Sequence, residues 1–201
     1  VIRLRAGTLS GGKWFHINKI LIYNYETMEE VKELYVYSTL DEICEYLAVS
    51  KDGKYLAAFG MGSTYLRVWD LQNMSLKNEF QLFDPSIVEE YGCEPKDIKF
   101  SEINTGNIFI SGSFPRSDGY YGISADSSLN GIIIYNINDN KIADNTFAIK
   151  PKQVYSYGKF AIFNNEERIM NSNSIYVSII NLILGKIEAT YNKTIEFPFL
   201  I

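Results

Sequence analysis

The chain has 201 residues, and 46% of them are hydrophobic, which is enough to bury a sizeable core in one large domain or two small ones. Its net charge is −5, and no basic block of the kind that grips phosphate backbones occurs, which argues against nucleic acid as a partner. No run of about 18 apolar residues is present, so no membrane span is expected.

The same short sequence pattern occurs four times along the chain, each time at the end of an apolar run. Four apolar, β-rich runs each close on Asn or Asp, and an apolar residue and a polar turn follow. Recurrence at intervals of roughly 45 to 65 residues is typical of proteins built from serial repeats. Aromatic residues make up 14% of the chain, and aromatic and β-branched side chains suit strands. The four closing residues are Asn24, Asp70, Asn136 and Asn181.

The first unit is predicted to lack its first strand. Residues 1–6 have the pattern of a second strand, residues 20–25 of a third and residues 31–37 of a fourth. The segment 7–18 is predicted to be a loop between the second and third strands.

The second unit is the clearest of the four. An Asp-Gly pair at Asp52 and Gly53 supplies the positive φ that a tight hairpin turn needs. Short turns then separate four strand-like runs, which together predict one antiparallel meander. The predicted strands cover residues 43–50, 55–59, 65–70 and 76–82.

The third unit repeats this plan with two insertions. Residues 84–95 precede it and are predicted to hold a short helix, with Ser86 as N-cap and Glu89 closing a capping box. Residues 115–130 form a second insertion, between the second and third strands. The predicted strands cover residues 97–103, 107–114, 131–137 and 142–149.

The fourth unit covers residues 154–193 and ends in a further strand-like tail. Within residues 194–201, Ile195, Phe197 and Phe199 share one face of an extended segment. The predicted strands of the unit itself cover residues 155–163, 168–171, 175–182 and 187–191.

The second unit resembles a WD40 repeat. Ser50-Lys51-Asp52-Gly53 matches the turn between the first two strands of that family, and Trp69-Asp70 matches the pair that closes the third strand. The match is degenerate in the other units, where the closing pairs are Tyr23-Asn24, Tyr135-Asn136 and Ile180-Asn181. The Gly-His pair of the family is absent from the sequence.

The resemblance implies an all-β chain, a β-propeller of about four four-stranded antiparallel blades or a slice of a larger, for example seven-bladed, propeller. In the first case the tail would complete the first blade and leave no open edge. In the second case, missing strands would complete it. The predicted blades are residues 1–38, 43–82, 97–149 and 154–193.

The resemblance also implies a non-enzymatic scaffold that presents loops to a protein partner. In the second insertion, Arg116, Tyr120 and Tyr121 are residue types enriched at binding hot spots. The bland alternative is a tolerated surface loop, because long insertions cost little entropy. Trp14 and Phe15 are the other candidates, as exposed contacts or as side chains tucked under a neighbouring blade.

No catalytic residue, cofactor or metal site is predicted. The one histidine, His16, has no identifiable nucleophile or carboxylate partner. Cys44 and Cys93 cannot form a disulfide framework and are expected to be reduced, partly buried thiols, which fits a cytoplasmic protein. The alternatives are a propeller enzyme, of hydrolase or lyase type, with a site in the central channel, and a structural subunit of a large assembly.

Overall fold

Strands account for most of the chain that the structure describes, and their order follows the predicted units. A short helix lies between the second and third units. The computed structural model describes residues 2–5, 8–10, 13–15, 19–35, 44–60, 63–104, 106–115, 128–142, 147–149, 159–163, 168–172, 176–181, 184 and 186–192.

The first sheet has three antiparallel strands and a hairpin inserted into it. Strand β1 (Ile2–Arg5) is followed by the hairpin of β2 (Thr8–Ser10) and β3 (Lys13–Phe15). Strands β4 (Lys19–Tyr23) and β5 (Glu30–Tyr35) complete the sheet in the order β1-β4-β5. The hairpin corrects the sequence prediction of a loop there. That residues 194–201 supply a fourth strand stays a prediction, because they lie outside the described residues.

The second sheet is a regular four-stranded meander. Its strands are β6 (Tyr46–Val49), β7 (Tyr55–Phe59), β8 (Tyr65–Asp70) and β9 (Ser75–Gln81), paired in chain order.

The turn between β6 and β7 depends on a serine and an aspartate. The Ser50 hydroxyl donates to Asp52 at 2.6 Å and accepts from the Tyr55 N–H at 2.8 Å. Gly53 takes the predicted positive φ, at 70°. The bond from the Ser50 hydroxyl is the largest of the contacts that hold the pKa of Asp52 below its usual range.

Helix α1 (Pro85–Tyr91) confirms the predicted helix but not its predicted cap. The N-cap is Asp84, whose carboxylate accepts from the Ser86 N–H at 2.9 Å and from the Ser86 hydroxyl at 2.6 Å. The prediction of Ser86 as N-cap was therefore wrong by two residues. Pro85 explains the earlier start, because proline has no N–H to lose in the first turn and its fixed φ suits that position.

The third sheet repeats the meander, with its fourth position shared by two short strands. Strands β10 (Glu94–Phe100), β11 (Asn107–Pro115) and β12 (Ser128–Asn136) pair in chain order. Strands β13 (Lys141–Ile142) and β14 (Phe147–Ile149) both pair with β12.

Strand β10 begins and ends three residues before the predicted bounds. It ends at Phe100 because the Ser101 hydroxyl accepts from the N–H groups of Ile103 and Asn104, which turns the chain.

The fourth sheet is again a four-stranded meander. Its strands are β15 (Lys159–Phe163), β16 (Arg168–Ser172), β17 (Tyr176–Asn181) and β18 (Lys186–Asn192). The predicted all-β chain of four antiparallel sheets is therefore confirmed, while the blade boundaries stay a prediction.

The residue that closes each third strand bonds the following turn in all four sheets. Asn24 accepts from the N–H groups two and three residues later at 2.8 and 3.2 Å, and Asp70 does so at the same distances. Asn136 accepts from the N–H groups of its turn at 2.9 and 3.0 Å. Asn181 accepts from the N–H of Leu184 at 2.8 Å. These bonds satisfy backbone donors that the strand ladder cannot reach.

A second partner explains why the closing residue is Asp in one sheet and Asn in two others. The second carboxylate oxygen of Asp70 accepts from the Asn73 amide at 3.1 Å. The amide of Asn136 instead donates to Asn107 at 2.7 Å, and that of Asn181 donates to Glu188 at 2.8 Å. A carboxylate can make only the first of these contacts, because it has no donor.

Successive sheets pack face to face through three apolar layers. Because side chains alternate along a strand, neighbouring residues such as Val68 and Trp69 enter different layers. The first and second sheets meet at Ile20, Ile22, Leu34, Leu56, Ala58 and Trp69. The second and third meet at Tyr55, Ala57, Phe59, Leu66, Val68, Ile98, Phe100, Ile108, Ile110, Ile133 and Tyr135. The third and fourth meet at Phe109, Ile132, Ile134, Phe160, Ile169 and Ile180.

A polar clasp joins the second and third sheets beside this core. The Asn78 amide, on β9, donates to the Tyr135 hydroxyl at 3.2 Å and to the Asn140 side-chain oxygen at 3.0 Å. The Tyr135 hydroxyl donates to the same Asn140 oxygen at 2.7 Å. The Tyr135 ring is fully buried against Phe80, with ring centroids 4.9 Å apart. Burial raises the pKa of Tyr135, so its hydroxyl remains a donor over the working pH range.

The closing residues give a matched pair of variants. We expect Asn181→Asp to lower the free energy of unfolding by about 1–2 kcal/mol, because Glu188 would face a second carboxylate in place of the amide donor and would keep only its bonds from Arg168. Asp70→Asn should lose less than Asn181→Asp at neutral pH, since the turn N–H groups keep their acceptor and only the contact with the Asn73 amide is lost. Urea unfolding at pH 7 measures both. Equal losses for the two variants would contradict this reading of the Asn181 contact.

The Asp70 carboxylate predicts that the stability of the chain depends on pH. The backbone N–H of Asn73 is the largest of the contacts that hold the pKa of Asp70 below its usual range. Its contribution to stability is therefore present above the unfolded pKa and is lost as pH falls through the folded one. Below about pH 4, Asp70→Asn should lose less stability than the parent chain as the pH drops. Parallel unfolding curves for the two chains across the acid range would refute this.

The polar clasp predicts that substitutions on its two sides, in the second and third sheets, have coupled effects on stability. We expect Asn78→Ala and Tyr135→Phe to be non-additive by about 1 kcal/mol, because each removes one end of the same bond. A double-mutant cycle in urea measures this coupling. Asn78→Ala with Tyr65→Phe is the control cycle, because the Tyr65 hydroxyl bonds Gln81 instead. Additive effects in the first cycle would contradict the clasp.

Candidate interaction surface

The predicted contact residues fall on two segments that leave their sheets from equivalent places. Trp14 and Phe15 lie on β3, with Leu9 and Thr8 as their partners in β2. Arg116, Tyr120 and Tyr121 lie outside the described residues, as does His16. The insertion that carries them begins and ends at Pro115 and Ser128, which are paired neighbours in β11 and β12. Both segments therefore lead into a strand that ends at or next to a closing Asn, β4 in the first sheet and β12 in the third.

The opposite end of the sheets forms a second surface, which we call the turn face. In an antiparallel meander, the turn from the first to the second strand and the turn from the third to the fourth lie at the same end. The Lys51 ammonium lies 3.9 Å from the Glu102 carboxylate, which places such turns of the second and third sheets side by side. The turn face comprises residues 24–29, 50–54, 71–74, 101–104, 106, 137–140 and 184.

Large apolar side chains are exposed on the turn face. Tyr25 is 79% exposed, Ile103 63%, Met28 62% and Leu184 60%, and these are the four most exposed large apolar residues among those described. They come from turns of the first, third and fourth sheets. In the first and third sheets the turn residues beside Tyr25, Met28 and Ile103 are polar, so hydrogen-bonding groups surround these exposed side chains. This arrangement resembles the anchors and polar surroundings of protein interfaces.

Sequence reasoning missed these four residues. For Tyr25, Met28 and Ile103 the available signal was an apolar residue inside a polar turn, at a place where the turn's own hydrogen bonds do not require one. Tyr25 follows Asn24 directly, and Ile103 lies in the turn that Ser101 begins.

The first strands of three sheets lie side by side. Strand β10 contacts both β6 and β15. A carboxylate oxygen of Asp97 on β10 accepts from the Phe160 N–H on β15 at 3.2 Å. The remaining strands of each sheet follow in chain order outward from this inner strand. A propeller blade has the same arrangement around its axis.

Ionisable side chains on the inner strand β10 pair with one another. Lys96 bonds Glu94, and the Lys99 ammonium lies 3.7 Å from Asp97 and 5.3 Å from the Phe160 ring centroid. These charges are therefore balanced within the strand. Among the described residues, no three His, Cys, Asp or Glu side chains are grouped as a metal site would require.

Both cysteines are buried, and neither is in a disulfide. Burial raises the pKa of Cys44 to about 12, with a smaller opposing effect of Arg67. Burial raises the pKa of Cys93 to about 12 as well. The thiolate is the reactive form, so both side chains are inert at neutral pH and serve as core residues.

Comparison with known proteins identifies the fold. No family profile and no curated protein matches the chain. The β-propeller domain of Cps50 (Swd1) from Myceliophteria thermophila superposes with a TM-score of 0.61 at 12% identity, over 89% of this chain and 50% of that one. The fold is a β-propeller. The sequence resemblance to propellers of the WD40 type is thus confirmed at the level of the fold.

A second propeller-like match is an enzyme. Hydrazine synthase from Kuenenia stuttgartiensis superposes with a TM-score of 0.59 at 16% identity, over 87% of this chain and 43% of that one. The chain therefore spans half or less of each of these two structures. Both likenesses concern the fold alone, because identity is low.

The thiols give a direct chemical test of burial. We expect neither Cys44 nor Cys93 to react with a thiol reagent at pH 8 in the folded chain, and both to react in urea, because their thiolate forms are suppressed and inaccessible. Absorbance of released thionitrobenzoate measures the reaction. Rapid modification of one thiol before unfolding would contradict the buried placement of that residue.

Proposed function

We propose that the chain is a non-enzymatic scaffold that binds a protein partner through the turn face. The exposure of Tyr25, Met28, Ile103 and Leu184 at one end of the propeller carries this proposal. These side chains leave most of their surface in water in the monomer, and covering them with a partner would release water from each. The rigid stacked sheets hold them at fixed separations, so binding would order few groups.

The charged groups of the turn face indicate which side chains a protein partner should present to it. Asp52 and Asp70 are held ionised by their turn hydrogen bonds, and Lys51 is already beside Glu102. The partner should therefore bring apolar side chains for the exposed anchors, together with donors for the two carboxylates.

An enzyme is the second candidate function. It is supported by the fold's likeness to hydrazine synthase and by the ionisable groups of β10. The pairing of those groups with one another favours the scaffold, because a catalytic site holds ionisable groups available to substrate.

Location is also part of the proposal. Two buried thiols outside any disulfide suit the reducing cytoplasm. In the described part of the chain, no helix has the length and apolar character needed to cross a membrane.

The test uses the purified chain as bait in an extract of its own cells, followed by affinity measurement with each captured protein. We expect the triple variant Tyr25→Ser, Ile103→Ser, Leu184→Ser to weaken binding by about a hundredfold, because three anchors are truncated. Tyr191→Ser is the matched control, since Tyr191 is exposed on an outer strand away from the turn face.

Two outcomes would overturn the proposal. One is capture of no partner at micromolar concentration. The other is equal affinity of the parent and the triple variant for every captured partner.

A further inference from the structure

The turn between β4 and β5, residues 24–30, is built like the corresponding turns of the second and third sheets. In each turn, the closing Asn or Asp accepts from two backbone N–H groups that follow it. The fourth residue after it has a left-handed backbone, with φ of 56° at Met28, 49° at Met74 and 51° at Asn140. Three different sequences form this turn, so features found only in residues 24–30 are not required by its conformation.

Tyr25 and Met28 are exposed, whereas the apolar residues at the same positions of the other two turns are packed. Tyr25 is 79% exposed and Met28 62%. Leu71 and Met74 pack against the core between the first and second sheets, and Ile137 is buried in the core between the second and third. These three residues pack toward the preceding sheet, and within the described residues no sheet precedes the first. The described sheets therefore gain little from burying Tyr25 or Met28.

Three carboxylates accompany these two exposed side chains. Glu26, Glu29 and Glu30 are all exposed, and none of the ion pairs among the described residues includes them. The corresponding turn of the second sheet holds one carboxylate, and that of the third holds one carboxylate and one lysine. The excess of negative charge is therefore particular to residues 24–30, which we call the acidic turn.

Hydrogen bonds hold the acidic turn in one shape without using its carboxylates. The Asn24 N–H donates to the Glu29 carbonyl at 2.9 Å, and the Met28 N–H donates to the Asn24 carbonyl at 3.0 Å. The Thr27 hydroxyl accepts from the Glu29 N–H at 3.3 Å. Because the backbone is already fixed, a partner that binds this turn would have few of its groups to order.

We propose that the acidic turn binds a basic segment of the protein partner, one that presents apolar side chains together with lysine or arginine. The apolar side chains would cover Tyr25 and Met28, and the cations would pair with the three carboxylates. A further sheet of the propeller suits this turn less well, because no carboxylate among the described residues is buried between sheets. This inference rests on the proposed function, since it assigns the partner's chemistry to one part of the turn face.

Fluorescence anisotropy of the 201-residue chain with three labelled short peptides tests the proposal. One peptide alternates lysine with leucine, the second alternates lysine with serine, and the third alternates glutamate with leucine. We expect the lysine–leucine peptide to bind at least about tenfold more tightly than either of the others, because only this peptide supplies both cations and apolar groups.

A matched pair of double variants assigns the charge requirement to the acidic turn. Glu26→Gln with Glu29→Gln should weaken binding of the lysine–leucine peptide by about tenfold, because two of the three carboxylates lose their charge. Glu45→Gln with Glu89→Gln is the control and should leave the affinity unchanged. It removes the same amount of charge from exposed residues before β6 and on α1, at the end of the sheets opposite the turn face.

A third double variant tests the apolar contribution. Tyr25→Ser with Met28→Asn should also weaken binding of the lysine–leucine peptide by about tenfold. Asparagine replaces Met28 because Asn140 has the same left-handed backbone at the equivalent position of the third sheet. Both residues are exposed, so this variant should keep the fold, which circular dichroism checks.

Four results would each refute the basic partner. They are no binding of the lysine–leucine peptide up to about 1 mM, equal affinities for the three peptides, an equal loss in the two glutamate-to-glutamine double variants, and full affinity in Tyr25→Ser with Met28→Asn. The scaffold proposal is judged separately, by the affinity of captured partners for the triple variant. If the triple variant weakens those partners while the peptides are not distinguished, only the basic partner is rejected.

Discussion

The alternation of side chains along each strand is the constraint on which the structure depends. A strand between two other sheets must be apolar on both sides, and β8 meets this requirement by sending Val68 into one layer and Trp69 into the other. A shift of one residue in any strand would exchange the two layers. The bulges between Val68 and Trp69 and between Ile179 and Ile180 occur next to the turn, where they adjust the twist while the alternation on either side is kept.

Closing residues fix this register at the end of each third strand. Asn24, Asp70, Asn136 and Asn181 all bond the turn that follows, so each third strand ends at a defined residue. This local chemistry is readable from sequence, since the acceptor and its donors lie within three residues. The helix cap shows the limit of such reading. Ser86 and Asp84 are both good caps by type, and only the position of Pro85 in the first turn decides between them.

The sheets could be predicted from sequence, but the turn face could not. The apolar runs announce strands because burial on a pleated surface depends on local pattern. Exposure of Ile103 or Leu184 depends on what the rest of the chain leaves uncovered, and that is a property of the assembled sheets. The same reason explains why Ile134 is buried whereas Ile179 is only half-buried. Their sequence contexts are alike, and the difference is the presence of a fourth sheet against one and no described sheet against the other.

The alternation can be measured directly from nuclear Overhauser contacts at two adjacent residues. The Trp69 ring should contact methyl groups of the first sheet, at Ile20 or Ile22. The Val68 methyl groups should contact residues of the third sheet such as Ile133. Within the second sheet, they should contact only residues on the side that faces the third sheet. Contacts from both residues to one and the same neighbouring sheet would contradict the face-to-face stacking, and with it the placement of the turn face.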